Sequence, residues 1–430
     1  MHALLAILIT TATLDGGASD AGTGSPATPP LRLAELQQSI VASGVDGWLL
    51  TDAGGQDELA LHILGLSDQR DRSRRWWYLV PVKGAPKKLV HASEPDTLDS
   101  LPGESRRYTS WRERDRELAR LLTGLRKVAM NYSPRAELAD LSRVDAGTVE
   151  LVHALGPTVV SAGDIAARYD SVLTPAQLEG QRKAAMVLGE IIEAALANAA
   201  EHARAGQPLT ERDLADRIGA QIAARGMVSD HAPRVWAGTH TADPQANAPE
   251  GASAPLSTGS LVLIQAWAKL SGEDAAYADL TRMGYLGAEV PFAQARTFAA
   301  VVKAREAALA LLRMRSARGS DVTGAEMDDV VRASLRADGL EAAFIHRTGH
   351  SLGREVRAGG ANLDDYETRD TRKLLVGSCF TIAPDASLPG KYGCRSGIDV
   401  CILPPAPGEK MPNIAIPGPT PQSELPALMK

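Results

Sequence analysis

Long apolar runs are missing from this sequence of 430 residues, and so is an excess of charge of either sign. No stretch of about eighteen apolar residues occurs, which excludes a membrane-spanning helix of ordinary length. The 46 basic and 52 acidic residues give a net charge of −6, so charge provides no basis for binding nucleic acid or an anionic membrane. The length and the mixed composition predict a soluble protein of two domains.

Cysteine is also scarce. Cys379, Cys394 and Cys401 all lie in the last quarter of the chain, and no two of them have the CxxC spacing of common metal and redox sites. An odd number of cysteines leaves at least one thiol unpaired. We therefore expect small buried strand residues rather than metal ligands or a disulfide framework.

The first thirty residues differ in composition from the rest. Residues 1–14 contain the apolar run ALLAILI, which has the length of a signal-peptide core, but no Lys or Arg precedes it. Residues 15–30 are rich in Gly, Ser, Ala, Thr and Pro, which predicts an unstructured linker. Two interpretations stay open: a signal peptide that exports the protein to the periplasm, or a disordered extension or misplaced start on a cytoplasmic protein.

Short helical and strand patterns alternate over residues 31–170. Leu31–Ser43 and Arg112–Thr123 have helical spacing, whereas Gly47–Thr51, Arg75–Val82 and Lys87–His91 read as strands. The aromatic cluster Trp76–Trp77–Tyr78 lies within one of these strands, so we expect at least one ring in the core. The alternation predicts a compact α/β domain.

A second pattern begins at residue 171 and continues to residue 404. Thr174 is placed as a helix N-cap with Pro175 at the first helical position, and the long helix Gln177–Arg204 follows. Further helices are predicted at Thr210–Arg225, Pro291–Arg318 and Gly324–Ala337, with strands between and after them. The periodicity predicts an α+β domain. Residues 405–430 are rich in proline and predict a disordered tail.

Two predicted strands near the centre of this domain carry the candidate chemistry. The apolar run Leu261–Ile264 is followed by Gln265, and the run Tyr277–Leu286 carries Asp279. Adjacent strands that aim side chains into one cleft are a common way to build a metal site, because rigid backbone fixes the ligand geometry.

Several blocks resemble the pita-bread metallopeptidase family, which includes prolidase, aminopeptidase P, methionine aminopeptidase and creatinase. The blocks are SDHAPRVWAGTHTADP at Ser229–Pro244, LVLIQAWAKLSGEDAAYADLTRMGYLG at Leu261–Gly287, HRTGHSLG at His346–Gly353, NLDDYETRD at Asn362–Asp370 and CRSGIDV at Cys394–Val400. The resemblance covers about Leu31 to Leu403. It implies an α/β domain like the creatinase N-terminal domain, followed by an α+β pita-bread domain with two helical pairs around a curved antiparallel sheet. Family members are commonly dimers, so a homodimer is a further expectation.

The resemblance also implies where the site lies. In the family two divalent metal ions are held by two Asp, one His and two Glu residues, and two further histidines handle the proton and the substrate carbonyl. This chain keeps only Asp279 and the ligand His350. The other metal positions fall on Gln265, Ala383 and Gly397, and the two further histidine positions fall on Gln245 and Arg357.

These substitutions bear directly on metal binding. Two divalent ions bring four positive charges, which the four carboxylates of the family balance, whereas one carboxylate remains here and Arg357 adds a positive charge. Alanine and glycine offer no donor atom to a metal. We therefore expect no cofactor; a divalent Mn, Co or Zn ion is the alternative. Without a metal, the site lacks both an activated hydroxide and a Lewis acid.

Neighbouring groups offer one way to rebuild a mononuclear site. Asp385 and Asp399 each lie two residues beyond a lost glutamate position, and the other candidates nearby are His231, His240, Glu273 and Asp274. A displacement of two strand residues moves a ligand by several ångströms, which exceeds the tolerance of metal coordination, so we disfavour this route.

A buried Asp279 without a metal needs another cationic partner. We predict that Arg357 enters the cleft and pairs with Asp279, Asp385 or Asp399. The competing cations are Arg395 and Arg282, although Arg282 should point to the opposite strand face from Asp279.

The predicted function is that of an Xaa-Pro dipeptidase-like or aminopeptidase-like protein that has lost its peptidase chemistry. It would bind a peptide or small molecule in the cleft, or a partner protein on its surface. The alternative is an active metallopeptidase that cleaves Xaa-Pro or related amide bonds with an altered metal site.

Overall fold

A computed structural model describes residues 32–66, 71–138, 141–242, 253–272 and 274–430. The first part of the chain is a mixed sheet flanked by helices. Its strands are β1 (Gly47–Asp52), β2 (Trp76–Pro81), β3 (Lys87–His91), β4 (Glu104–Tyr108), β5 (Lys127–Met130) and β6 (Thr158–Ser161). Its helices are α1 (Leu33–Ala42), α2 (Glu58–Leu64), α3 (Trp111–Leu122), α4 (Ala146–Ala154) and α5 (Gly163–Ser171). The strand order is β4-β3-β2-β1-β5-β6, with β2 antiparallel to β1 and β3 and the remaining pairs parallel.

The aromatic cluster on β2 packs on both faces of this sheet. Trp76 and Tyr78 join the apolar cluster on one face, whereas Trp77 joins the cluster on the other. All three side chains are buried. The prediction of core packing is therefore confirmed, because alternate strand residues point to opposite faces.

A buried polar cluster lies beside β1. Asp57 is the N-cap of α2, and its carboxylate accepts a hydrogen bond from the Ala60 amide at 2.9 Å and from Asn131 Nδ2 at 2.8 Å. The Asn131 carbonyl oxygen accepts from Trp48 Nε1 at 3.1 Å. Burial raises the pKa of Asp57 from 3.8 to about 6, although both hydrogen bonds oppose this shift.

The second part of the chain begins with α6 (Pro175–Ala205), and the change of pattern predicted at residue 171 falls at the last residue of α5. The Thr174 hydroxyl and the Gln177 side chain form the reciprocal bonds of a capping box, which fixes this helix start. The other helices are α7 (Glu211–Ala224), α8 (Phe292–Ala317) and α9 (Gly324–Ala337). The strands are β7 (Met227–Val228), β8 (Arg234–Ala237), β9 (Leu261–Leu270), β10 (Ala278–Tyr285), β11 (Ser351–Leu352), β12 (Cys379–Ile382), β13 (Asp385–Leu388), β14 (Tyr392–Arg395), β15 (Ile398–Leu403) and β16 (Asn413–Ala415).

Strand β9 is the centre of this half. It pairs in antiparallel fashion with β7, β8 and β10. Leu261 and Leu263 face a core shared with α8 and α9, whereas Val262 and Ile264 face a core shared with α6 and α7. The sheet is thus enclosed by two pairs of helices, as the resemblance implies. The α/β and α+β classes predicted for the two parts are confirmed.

A long hairpin centred on Gly390 supplies the other strands of the site. One side of the hairpin consists of β12 and β13, and the other side consists of β14 and β15. β12 pairs with β15 and β13 pairs with β14, both in antiparallel fashion. Asp385 lies opposite Arg395, and Cys379 lies opposite Cys401. Each of these pairs is equidistant from Gly390 along the chain.

The cysteine prediction is corrected by this hairpin. Cys379 and Cys401 form a disulfide with a Cα–Cα distance of 4.1 Å, while Cys394 is a free buried thiol. The spacing of the cysteines in the sequence does not reveal the pairing, because it depends on the register of two strands. The expected burial of all three residues is confirmed.

The predicted disorder of residues 405–430 is wrong. β16 pairs with β15, the Tyr285 amide donates to the Pro426 carbonyl at 2.9 Å, and the Gln422 side chain bonds to the backbone of Met283. Proline is excluded from central strands but not from edges, where few backbone bonds are needed. This segment therefore adds to sheet edges despite its composition. Within the part of the chain that the structure describes, no helix is both long and apolar enough to cross a membrane.

Candidate functional site

A cavity of about 610 Å³ lies where β8, β9 and β10 meet the Gly390 hairpin and the segment around His350. Among the positions singled out in the sequence, Gln265, Asp279, His350, Ala383 and Arg357 line it. We expect Gln265, Asp279, His350, Ala383 and Gly397 to converge on one cleft; the first four line this cavity, whereas Gly397 lies beside Ala383 and is not a lining residue. Gln245 and Glu273 lie outside the described residues.

Asp279 sits at the base of the cavity with only 3 % of its surface exposed. Gln265 Nε2 donates to Asp279 Oδ1 at 3.1 Å from the neighbouring strand, and His350 Nε2 lies 3.3 Å from Asp279 Oδ2. The His350 Nδ1–H donates to the Ser351 carbonyl, which leaves Nε2 directed at the carboxylate. A neutral amide and an imidazole thus surround Asp279.

The two lost glutamate positions lie side by side. A Cβ atom built on Gly397 would lie 3.4 Å from Ala383 Cβ, but only 2.7 Å from Thr281 Oγ1 and 2.9 Å from Thr281 Cβ. The Thr281 amide also donates to the Gly397 carbonyl at 3.4 Å. Close approach of β10 therefore disfavours any side chain at Gly397 in this arrangement.

A second charged cluster, formed by His346, Asp385 and Arg395, borders the same cavity. Arg395 Nη2 donates to Asp385 Oδ2 at 3.0 Å, and His346 Nε2 lies 2.6 Å from the same oxygen. Arg395 Nη1 donates to the Gln265 carbonyl oxygen at 3.1 Å, which connects this cluster to Asp279. Burial opposes ionisation of Asp385, but the charges of His346 and Arg395 outweigh burial and lower its pKa.

The prediction that Arg357 pairs with an acid of the site is wrong. Arg357 lines the cavity but is exposed, and among the residues that the structure describes it forms no ion pair with Asp279, Asp385 or Asp399. Arg395 takes that role because the Gly390 hairpin places it directly opposite Asp385. Arg282 points away from the cavity, as expected, and donates to the Pro419 and Thr420 carbonyls.

Asp399 is fully buried behind β10 rather than in the cavity. Its carboxylate accepts from the Asp279 amide at 3.1 Å and from Gln181 Nε2 of α6 at 2.7 Å. Burial and the nearby negative charge of Asp279 raise the pKa of Asp399 well above its usual range. Asp399 therefore links the backbone of β10 to α6 and is not placed to hold a metal in the cavity.

The other groups considered as substitutes are dispersed. His231 lines the cavity and packs edge-on against Trp267, with ring centroids 6.0 Å apart. His240 is bound by Glu211 at 3.0 Å, and the exposed Asp274 carboxylate lies 3.4 Å from Arg354. In the described ranges, no group of three or more His, Cys, Asp and Glu side chains is arranged to hold a metal ion.

The sequence places this architecture in a known family. Residues 179–403, about half of the chain, match the metallopeptidase family M24. The chain belongs to this family. It is also similar to the probable dipeptidase PepE of Mycobacterium tuberculosis, with 27% identity over 371 residues that cover 85% of this chain and 89% of the relative.

Solved structures show the same fold as this M24 chain. Dipeptidase PepE from Mycobacterium ulcerans superposes with a TM-score of 0.62 and 22% identity, covering 92% of this chain and 97% of the other. A prolidase from Thermococcus sibiricus superposes with a TM-score of 0.57 and 19% identity, covering 92% of this chain and 98% of the other. An X-Pro aminopeptidase from Thermotoga maritima superposes with a TM-score of 0.56 and 20% identity, covering 92% of this chain and 99% of the other. The expected N-terminal domain followed by a pita-bread domain is therefore confirmed.

The M24 family implies divalent metals, but the donor set of this cavity does not fit a metal pair. One carboxylate, Asp279, and one imidazole, His350, remain, and both already contact each other. Ala383 and Gly397 supply no donor, and the Gln265 carbonyl oxygen is bound by the permanent cation Arg395. Divalent ions need several anionic oxygen or neutral imidazole ligands together, and this arrangement does not provide them.

From the sequence, Asp385 is a possible partner acid and Arg395 a competing cation, but their pairing with each other and with His346 was missed. Arg234, which lines the cavity, was also missed. One signal for the cluster was present in the sequence. The Pro389–Gly390 dipeptide marks a turn, and a hairpin folded about it places Asp385 opposite Arg395. No comparable local signal marks Arg234, because its position depends on the pairing of β8 with β9.

Proposed function

We propose that this chain is an M24 protein that binds a small ligand or peptide in its cavity and does not carry out metal-dependent peptide hydrolysis. One observation carries the proposal: the Arg395 guanidinium bonds to the Gln265 carbonyl oxygen, and the Gln265 amide bonds to Asp279, where the family holds metal. The buried Arg395 guanidinium lies close to Asp279, the one carboxylate kept from the metal-binding set of the family, and its positive charge opposes the approach of a divalent cation.

Metal analysis of the purified full chain tests the proposal. The protein is incubated with Mn²⁺, Co²⁺ or Zn²⁺, desalted, and assayed for bound metal by mass spectrometry and for hydrolysis of Xaa-Pro dipeptides. We expect less than stoichiometric metal, and no hydrolysis above that of the matched control Asp279→Asn/His350→Ala. Retention of about one or two ions per chain that is lost in this control, together with hydrolysis, overturns the proposal in favour of an active peptidase.

We also propose that the protein is exported. The disulfide between Cys379 and Cys401 supports this location, because disulfides persist in oxidising compartments such as the periplasm. The apolar run in residues 1–14 supports it independently. Cell fractionation with sequencing of the mature N-terminus tests the location. Full-length protein in the cytoplasm with both thiols reduced contradicts it.

A further inference from the structure

Four arginines line the cavity, and two of them form no ion pair with the residues that the structure describes. Arg347 is paired with Glu367 at 2.9 Å, and Arg395 is paired with Asp385 at 3.0 Å. Arg234 and Arg357 also line the cavity, but among the residues that the structure describes neither has a carboxylate within ion-pair distance. The surroundings of these two guanidiniums indicate which class of ligand the cavity binds.

Arg234 is held in place without an anionic partner. It lies on β8 directly opposite Gln265, and its guanidinium is 5.3 Å from the centre of the Trp267 ring and 5.9 Å from that of Trp236. Such cation–π contacts fix the direction of a guanidinium but leave its N–H donors available. Arg234 is only half-buried, so these donors can reach a ligand in the cavity.

The other two cations face the same space. Arg357 is exposed at the cavity, and Arg395 is 4 % exposed, with its Nε buried and lacking a hydrogen-bond partner within the described ranges. Burial and the positive charges of Arg395 and Arg357 lower the pKa of Arg234, whereas Asp279 acts in the opposite direction. The cations therefore repel one another, and an anion between them relieves that repulsion.

The acids of the cavity do not provide that anion. Asp279 is already bound by Gln265 and His350, and Glu367 is bound by Arg347. Glu355 is exposed and, like Arg234 and Arg357, has no ion-pair partner in the described part of the chain. Within the described residues of the cavity, two arginines without an ion pair thus accompany one carboxylate without an ion pair, Glu355.

We propose that Arg234 and Arg357 together bind the oxyanion group, carboxylate or phosphate, of a small ligand whose apolar part packs against Trp267 and Val356. Both of these apolar residues line the cavity and are largely buried. The inference rests on the proposed function, since it names the ligand class of the same cavity. Each guanidinium presents a planar set of donors that matches a carboxylate or a phosphate in bidentate fashion.

Calorimetry on the full chain tests this inference with three probes: the dipeptide Ala-Pro with a free carboxylate, its C-terminal amide, and inorganic phosphate. We expect Ala-Pro to bind about tenfold or more tightly than the amide, because a charge-assisted hydrogen bond is lost with the carboxylate. Tighter binding of phosphate, in competition with Ala-Pro, identifies phosphate as the source of the oxyanion. Added salt should weaken both interactions.

Variants assign the effect to the two arginines. Arg234→Met and Arg357→Met should each weaken oxyanion binding by about tenfold, and leave binding of the amide unchanged. The matched control is Arg369→Met, which removes the same charge from an exposed residue outside the cavity. Because Arg357 is exposed, its variant should fold even if the Arg234 variant does not.

Three outcomes overturn the inference: equal affinity for Ala-Pro and its amide, unchanged affinity in both arginine variants, or no saturable binding of either anion at millimolar concentration. Failure of the proposed function looks different. Binding that disappears when metal is removed by a chelator indicates a metal site, whereas chelator-resistant binding that ignores the carboxylate contradicts only the oxyanion inference.

Discussion

The side-chain amide of Gln265 donates a hydrogen bond to the carboxylate of Asp279 over 3.1 Å. This contact fixes the orientation of Gln265, so its carbonyl oxygen faces Arg395 and accepts a hydrogen bond from that guanidinium. Asp279 thus has amide and imidazole partners, while the buried Asp385 receives the guanidinium of Arg395. Arg357 is not needed to stabilise either acid and remains exposed at the cavity.

Arg395 and Arg357 should therefore differ sharply in their contribution to stability. Arg395→Met leaves the buried Asp385 with His346 as its remaining ion-pair partner among the described residues, and removal of one member of a buried ion pair costs roughly 3 kcal/mol of unfolding free energy. Arg357→Met removes an exposed arginine that forms no ion pair with the described residues, and it should change this free energy by less than about 0.5 kcal/mol. Urea unfolding followed by circular dichroism measures both. Equal losses in the two variants would show that Arg357 has the stabilising role.

Gly397 should not tolerate a side chain while Thr281 is present. In Gly397→Ala, the new Cβ would lie 2.9 Å from Thr281 Cβ, and such overpacking costs about 1–3 kcal/mol. Thr281→Gly removes both crowding atoms. Gly397→Ala should therefore cost much less unfolding free energy in the Thr281→Gly background than in wild type. A double-mutant cycle by urea unfolding measures this coupling. Additive effects would mean that the close approach of the two residues is not the cause.

The pattern of helices and strands was predictable because it depends on local signals. The Thr174–Pro175 cap gave the start of α6, and Gly324–Ala337 matched α9. The convergence of Gln265, Asp279 and His350 followed from the resemblance. Which cation meets which acid was not predictable, because it depends on side-chain reach and strand register across residues distant in sequence. The ordered C-terminal segment was missed for a similar reason: its partner strands are remote, and composition alone favoured disorder.

Stability should depend on pH through Asp57. Its folded-state pKa is about 6, above the ordinary value of 3.8, so the folded state binds a proton more tightly than the unfolded chain. The unfolding free energy attributable to Asp57 is therefore largest below about pH 4 and falls as the pH rises toward 6, by roughly 3 kcal/mol. Asp57→Asn keeps a capping oxygen and removes the charge, so the stability of wild type relative to this variant should decline over the same interval.

Asp46→Asn provides a control of opposite sign. Backbone hydrogen bonds from the amides of Lys127 and Arg126 lower the pKa of Asp46, so its contribution is present at neutral pH and is lost as the pH falls. Urea unfolding at several pH values should show that the stability of wild type relative to Asp57→Asn falls as the pH rises from about 4 to 6, whereas its stability relative to Asp46→Asn falls as the pH drops below about 4. Asp57→Asn also removes one acceptor for the Asn131 amide at every pH, which shifts its stability by a constant amount. The informative quantity is therefore how the stability difference between wild type and Asp57→Asn changes with pH. A difference that does not change with pH contradicts a raised pKa for Asp57.

The last prediction concerns the disulfide at the far end of the hairpin from Gly390. Cys379 and Cys401 are 22 residues apart in sequence, and a cross-link that closes a loop of this length stabilises a protein by about 3 kcal/mol through the unfolded chain. The variant Cys379→Ala/Cys401→Ala should lose about this much unfolding free energy, and dithiothreitol should lower the melting temperature of wild type but not of the variant. Cys394→Ala is the matched control, since it removes a buried free thiol and should leave the response to dithiothreitol intact. Two results together would show that the two strands are held by packing alone. Wild type would unfold at the same temperature with and without reductant, and all three cysteines would react with an alkylating reagent after denaturation without reductant.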